Sequence, residues 1–137
     1  MTQAFVDTNV FVRFLTNDDP DKQHRSAMLF TRVEQGELQL NTPMSTIAEV
    51  VYVLHSHRLY NRSRSEVVQM LMPLIKLSGL RLHRRDLLMK ALAIFNATQL
   101  SFGDAMIAAA MSDRPDQVLY SFDQDFDALT DINRVEP

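Results

Sequence analysis

Short apolar segments alternate along this chain with stretches whose apolar residues recur at helical spacing, and that alternation narrows the possible folds more than any other feature. Ala4-Phe5-Val6, Leu38 with Leu40, Leu80-Arg81-Leu82, Val118 to Ser121 and Arg134-Val135 read as brief strands. Val10 to Leu15 continues from the first strand as a helical turn. Asp19-Pro20 is a helix start, with Asp as N-cap and Pro at the first helical position, and Gly36 closes that helix. Thr42-Pro43 opens another, in which Ile47, Val50, Val51 and Leu54 share one face. Ser63-x-x-Glu66 has the form of a capping box, and Pro73 kinks or shortens the helix that follows. Helical patterns then cover Asp86 to Thr98 and Asp104 to Ser112, with a helical turn around Phe126 to Leu129. Short strands separated by helices predict an α/β fold: a short parallel sheet flanked by helices on both faces. No repeat, low-complexity run or Gly/Ser linker divides the 137 residues, so a single domain over 1–137 is expected.

Composition excludes several function classes. Hydrophobic residues make up 46% and charged residues 23%, the balance of a chain that folds. With no cysteine there is no disulfide framework, CxxC pair or cysteine zinc site, which leans towards a reducing, cytoplasmic location. The apolar run from Ala105 to Met111 falls far short of the roughly 20 residues of a membrane span, and charges at Asp7, Arg13, Asp18 and Asp19 argue against a signal peptide. No membrane partner is expected. The three glycines, Gly36, Gly79 and Gly103, lie too far apart for a GxGxxG turn or a phosphate loop, so no nucleotide cofactor is expected either.

The formal net charge of −3 conceals a gradient: residues 1–54 carry −3, residues 55–90 carry +6 and residues 91–137 carry −6. A basic middle followed by an acidic end points to a polyanion-facing surface beside a carboxylate-rich site. Asp7 and Asp123 both follow expected strands, at the end of an α/β sheet where ligands bind. Glu49 interrupts the apolar run Ile47-Ala48-Glu49-Val50-Val51, so a buried carboxylate in need of a partner is expected there. Asp104 opens an alanine-rich helix too apolar for the surface. Carboxylates gathered in one cleft repel one another unless a cation is bound, and without cysteines or paired histidines the fitting ions are magnesium and manganese. His55 and His57, two apart, make a poor zinc pair on a helix.

Each residue also has a structural reading. Asp7 can cap the turn at Thr8, Glu49 can lie on a solvent-facing stripe, and Asp104 can complete a capping box with Ser101. Asp123, Asp125 and Asp127 can be turn and cap residues of an exposed loop, and the arginines from residue 55 to 64 a wetted helix end.

Their joint arrangement shifts that balance. Phe-Val-Asp7-Thr8-Asn9-Val-Phe-Val, Ile-Ala-Glu49-Val-Val-Tyr-Val-Leu, Ser-Phe-Gly-Asp104-Ala-Met-Ile-Ala-Ala and Ser121-Phe-Asp123-Gln-Asp125-Phe126 resemble the PIN-domain family in order and spacing, over almost the whole chain. The likeness is closest to the VapC-type toxins of bacterial toxin–antitoxin modules, the Asn17-Asp18-Asp19-Pro20 stretch included. The resemblance implies a magnesium- or manganese-dependent endoribonuclease whose ion is held by Asp7, Glu49 and Asp104, with Asp123 as the fourth acidic position and Asp125 its close competitor. Thr8 or Asn9, Ser121 and, where it is not itself the fourth ligand, Asp125 would orient those carboxylates. The ion would activate a water against an RNA phosphodiester, and one ion or two remain open. Arg58, Arg62, Arg64, Arg81, Arg84 and Arg85 are the candidates for contacts to the RNA backbone. A homodimer and a cognate antitoxin are the partners the resemblance implies.

Two rival classes stand beside this reading. A receiver-like phosphoacceptor domain needs a lysine late in the chain, and the last is Lys90. A catalytically silent RNA- or protein-binding domain of the same fold is free to lose acidic ligands, whereas all four matching positions are acidic here.

Overall fold

A computed structural model of the chain describes residues 2–114 and 116–137. Strand β1 (Thr2–Phe5) leads to Asp7, whose carboxylate accepts a hydrogen bond from the Thr8 N–H and caps helix α1 (Thr8–Leu15). The cap starts this helix ahead of Val10, where apolar spacing first signals it. Asp19 caps α2 (Pro20–Glu34) through the Lys22 N–H at 3.1 Å, with Pro20 at the first helical position. At the other end, Gly36 takes φ +80°, its N–H donates to the Val33 carbonyl and the Glu37 N–H to that of Arg32. This is a Schellman stop, which needs a left-handed residue where Gly36 stands.

Strand β2 (Leu38–Thr42) follows, then α3 (Met44–His55), α4 (Arg64–Ile75) and β3 (Leu80–Leu82). Both halves of the Ser63/Glu66 capping box form at the start of α4, and Pro73 sits in its last turn. Pro73 lacks an N–H and so removes one bond from the preceding turn, but the helix runs on past it to Ile75.

The chain falls into two compact units, residues 1–85 and residues 86–137. In the first, β1, β2 and β3 form a parallel sheet in that order, as helical crossovers between successive strands require. Leu38, Leu40, Thr42 and Leu80 point to a buried face. Gln3, Phe5, Gln39, Asn41 and Arg81 alternate with them onto the other face. Ile47, Val50, Leu54, Val67, Leu71 and Ile75 are fully buried on α3 and α4, each worth about 1.5–3 kcal/mol of apolar burial. Phe30 packs against Phe11 and Phe14 at ring distances of 5.4 and 4.9 Å, tying α2 to α1. A Cβ at Gly79 would lie 2.8 Å from Val33 Cγ1 and 3.0 Å from the Val33 carbonyl, so only glycine lets the chain enter β3 there.

The second unit holds most of α5 (Arg85–Ala97), with α6 (Phe102–Met111), strand β4 (Val118–Tyr120), a 3₁₀ helix (Gln124–Ala128) and strand β5 (Asn133–Val135). The strands β4 and β5 pair in parallel, Val118 opposite Asn133. Leu100, Ala108 and Phe126 form a small core covered by Ile94, Leu119, Leu129 and Ile132. Ser101 caps α6, which therefore begins at Phe102, ahead of Asp104.

Candidate active site

Asp7 and Glu49 approach the same residue from two elements of the first unit. The Thr8 N–H donates to Asp7 Oδ1 at 2.7 Å, and the Thr8 hydroxyl donates to Glu49 Oε2 at 2.9 Å. Thr8 is itself buried, 5% exposed, so its hydroxyl has a fixed direction and no competing water shell. Each carboxylate uses one oxygen in this bridge, and among the described residues Asp7 Oδ2 and Glu49 Oε1 have no protein partner. Both side chains are exposed.

That exposure selects the solvent-facing reading of Glu49 over the buried one. Ile47, Val50, Val51 and Leu54 form the buried stripe of α3. Glu49, two positions after Ile47, turns about 200° away from it at the 3.6-residue helical period. Its local surroundings in sequence are apolar, but its face of the helix is not. Of the two residues offered as orienting groups near Asp7, Thr8 bonds both carboxylates, while Asn9 is exposed on the opening of a cleft between α1 and α2.

Asp104 and Asp123 belong to the second unit. Asp104 is half-buried in the first turn of α6, its N–H donating to the Ser101 hydroxyl at 3.1 Å. Asp123 is the N-cap of the 3₁₀ helix: Oδ1 accepts from the Asp125 N–H at 2.9 Å, and the Asp123 N–H donates to the Ser121 hydroxyl at 3.0 Å. Of the three aspartates that the sequence offers as turn and cap residues, Asp123 is the one that caps this helix. The turn begins one residue after Asp123, so Asp125 already lies inside it, exposed. Among the described residues no three Asp, Glu or His side chains form a group able to hold a metal ion.

Arg134 escaped the sequence reading. Its guanidinium forms a fork with Asp127, Nε to Oδ1 at 2.9 Å and Nη2 to Oδ2 at 3.0 Å, and Nη1 donates to the Ser121 carbonyl at 3.1 Å. The fork holds the Asp127 carboxyl below its ordinary range and raises the guanidinium. Arg134 therefore braces the turn that carries Asp123. One signal for it was present: it is one of only two basic residues after position 90.

The six arginines divide by role. Arg58, Arg81 and Arg84 are exposed, and Arg62 and Arg64 half-buried. Arg62 pairs with Glu66 at 3.7 Å, and its Nε is buried without a hydrogen-bond partner. Burial lowers the Arg64 pKa. Arg85 is engaged with the backbone of its own unit. Its Nε donates to the Ile75 carbonyl at 2.8 Å and its Nη2 to the carbonyls of Leu77, at 3.0 Å, and Leu80. The guanidinium thereby ties the end of α4 to the start of β3, sharing the Leu77 carbonyl with the Leu80 N–H at 3.1 Å.

A second missed cluster fixes the basic loop after α3. Asp18 accepts from Tyr60 at 2.5 Å, Thr16 at 3.0 Å and Arg13 at 3.1 Å. His55 Nδ1 donates to the Arg62 carbonyl at 2.9 Å, which requires the Nδ1–H form and leaves His55 no part in a zinc pair through that atom.

None of the curated proteins matches the chain. PIN domains are in general nucleases that use divalent metal ions. The family model of the PIN domain matches residues 4–132, from β1 to the residue before β5, and with that match and the α/β architecture around Asp7, Thr8 and Glu49 the chain belongs to the PIN-domain family.

Proposed function

We propose that this chain is a magnesium- or manganese-dependent endoribonuclease, the toxin of a type II toxin–antitoxin module. The observation that carries the reading is the Thr8 bridge, which sets two exposed carboxylates, Asp7 and Glu49, on one buried anchor at the carboxyl end of the parallel sheet. Their chemistry fits a hard cation: each keeps one oxygen without a protein partner, and no thiolate is present to favour a softer ion. Asp7 and Glu49 would hold the ion, and the family resemblance adds Asp104 and Asp123 on sequence grounds. When bound, the cation supplies an acidified water and neutralises charge on the phosphate. Thr8 keeps Glu49 from rotating away, while the acidic pair itself repels RNA, so the arginines must attract the backbone.

The resemblance extends the proposal to a homodimer and to a cognate antitoxin that covers the acidic cleft. Incubating purified protein with a panel of cellular RNAs, in magnesium or in chelator, and mapping product ends tests the activity. Cleavage that needs the metal and leaves 5′-phosphates supports it. Cyclic phosphate ends, full activity in chelator, or no cleavage of any RNA overturns it. A small reading frame beside the gene whose product relieves growth arrest tests the toxin role.

A further inference from the structure

Within the first unit, α1 and α3 pack side by side and are tied near both ends. At the start of α1, the Thr8 hydroxyl donates to Glu49 on α3 at 2.9 Å. Past the end of both helices, the Tyr60 hydroxyl donates to Asp18 at 2.5 Å. The ties advance together, from Thr8 to Asp18 on one segment and from Glu49 to Tyr60 on the other, so the two helices point the same way. Stiff chain leads to the second tie from either side. Arg13 holds Asp18 at 3.1 Å, and so does Thr16, the buried C-cap of α1, at 3.0 Å. Tyr60 sits in a turn with its own bonds: the Leu59 and Asn61 N–H groups donate to the Ser56 carbonyl at 3.0 and 2.9 Å, and the Arg62 N–H to the Leu54 carbonyl at 2.8 Å. Asn61 takes a left-handed φ of 52°, which asparagine tolerates better than most residues. The stretch from Glu49 to His55 covers about 9 Å of helix and α1 about 12 Å, so the ties are separated by a lever of that order.

We infer that Tyr60 and Asp18 are positioning residues for the carboxylate pair: their bond sets the slide and tilt of α3 against α1, and with it the span over which Thr8 reaches Glu49. The inference rests on the reading of Asp7 and Glu49 as ion-holding carboxylates, and adds to it two residues remote in sequence from both. Phe11 and Val12 on α1, and Ile47, Val50 and Leu54 on α3, are buried and supply attraction without direction. Hydrogen bonds are directional and weaken steeply as their angle changes. With the Thr8 tie alone, α3 is free to pivot about Glu49; a second tie at the far end of the lever removes that freedom. Ligands of a shared ion must be held to within about 0.5 Å of their productive geometry, a tolerance finer than non-directional packing sets. The Tyr60 bond therefore acts on the site through the α3 backbone and the Thr8 bridge.

The test is manganese(II) binding to the full chain, read from the paramagnetic resonance signal of the free ion, beside amide spectra of the metal-free protein. Tyr60→Phe should weaken manganese binding about fivefold, the size of a coupling carried through packed elements, and should move the Thr8 and Glu49 resonances. In Thr8→Val, where Glu49 has no tether left to misplace, the same change should alter affinity by less than about twofold. Ile75→Val, a truncation of a buried side chain on α4 with a comparable loss of stability, should leave the affinity and both resonances where they are. Wild-type affinity with unmoved Thr8 and Glu49 resonances in Tyr60→Phe overturns the inference and leaves metal-dependent cleavage intact. A loss that adds undiminished to that of Thr8→Val also overturns it, because Tyr60 then acts by a route other than the Thr8 bridge. Moved resonances in a protein that binds no manganese support the inference and overturn the metal reading instead.

Discussion

The Thr8 hydroxyl donates to Glu49 Oε2 across 41 positions of sequence, while the same residue's N–H holds Asp7. One buried threonine therefore sets the orientation of two carboxylates on different elements. Thr8→Val keeps the branched shape and removes the hydroxyl, so Glu49 loses its tether. Cleavage should fall about 10- to 100-fold, the usual cost of losing a group that orients a ligand, with a stability loss of about 1 kcal/mol. Thr8→Ser should stay close to wild type. Initial rates and melting temperatures of the three proteins check this, and a fully active Thr8→Val removes Thr8 from the site.

Metal should protect the fold through Asp7 and Glu49. An ion that binds only the native pair raises the melting temperature by mass action and relieves repulsion between carboxylates. Asp7→Asn and Glu49→Gln should each abolish turnover and reduce the magnesium-induced shift. Scanning calorimetry with and without magnesium reads both, and equal shifts in all three proteins mean that the two carboxylates do not share an ion.

Asp123 and Asp125 should separate by substitution type. Asparagine caps as well as aspartate, so Asp123→Asn should preserve stability and cut the cleavage rate if the charge holds an ion, whereas Asp123→Ala should also cost about 1 kcal/mol for the lost cap. Asp125→Asn should change neither quantity much, because its side chain is exposed and makes no hydrogen bond among the described residues. A slow Asp125→Asn beside a fast Asp123→Asn would exchange their roles.

The Tyr60–Asp18 bond gives stability a window in pH. Its hydrogen bond from Tyr60 holds the Asp18 carboxyl below 3.8, so the contribution is complete above that value and fades as pH falls through the lower folded-state pKa. The same bond raises Tyr60 above 10.0, so on the alkaline side the contribution is complete below 10.0 and fades as pH rises through the folded-state value. The melting temperature of Tyr60→Phe should therefore lie below wild type by a constant margin between about pH 5 and 9 and converge with it at both extremes. A margin independent of pH over the whole range would show that Tyr60 acts by packing alone.

What the sequence by itself determined is what depends on near neighbours. Asp19-Pro20, Ser63-x-x-Glu66 and Gly36 act within a single helical turn, so the ends of α2 and α4 could be read directly. The α/β class followed from the alternation of periods, and the four acidic motifs were visible as local words. Roles that depend on distant partners were not. The apolar neighbours of Glu49 suggested burial, yet the turn of α3 points it to solvent and onto Thr8. Arg85 and Arg81 look alike in a basic run, but among the described residues one meets the carbonyls of Ile75, Leu77 and Leu80 and the other meets none. Asp18 with Tyr60, 42 positions apart, and the cross-strand row of Phe5, Asn41 and Arg81 exist only once helices cross over and strands take register. Tertiary structure decided these because a side chain's work is set by which groups share its surroundings, and pairing between remote segments is not encoded at any single position.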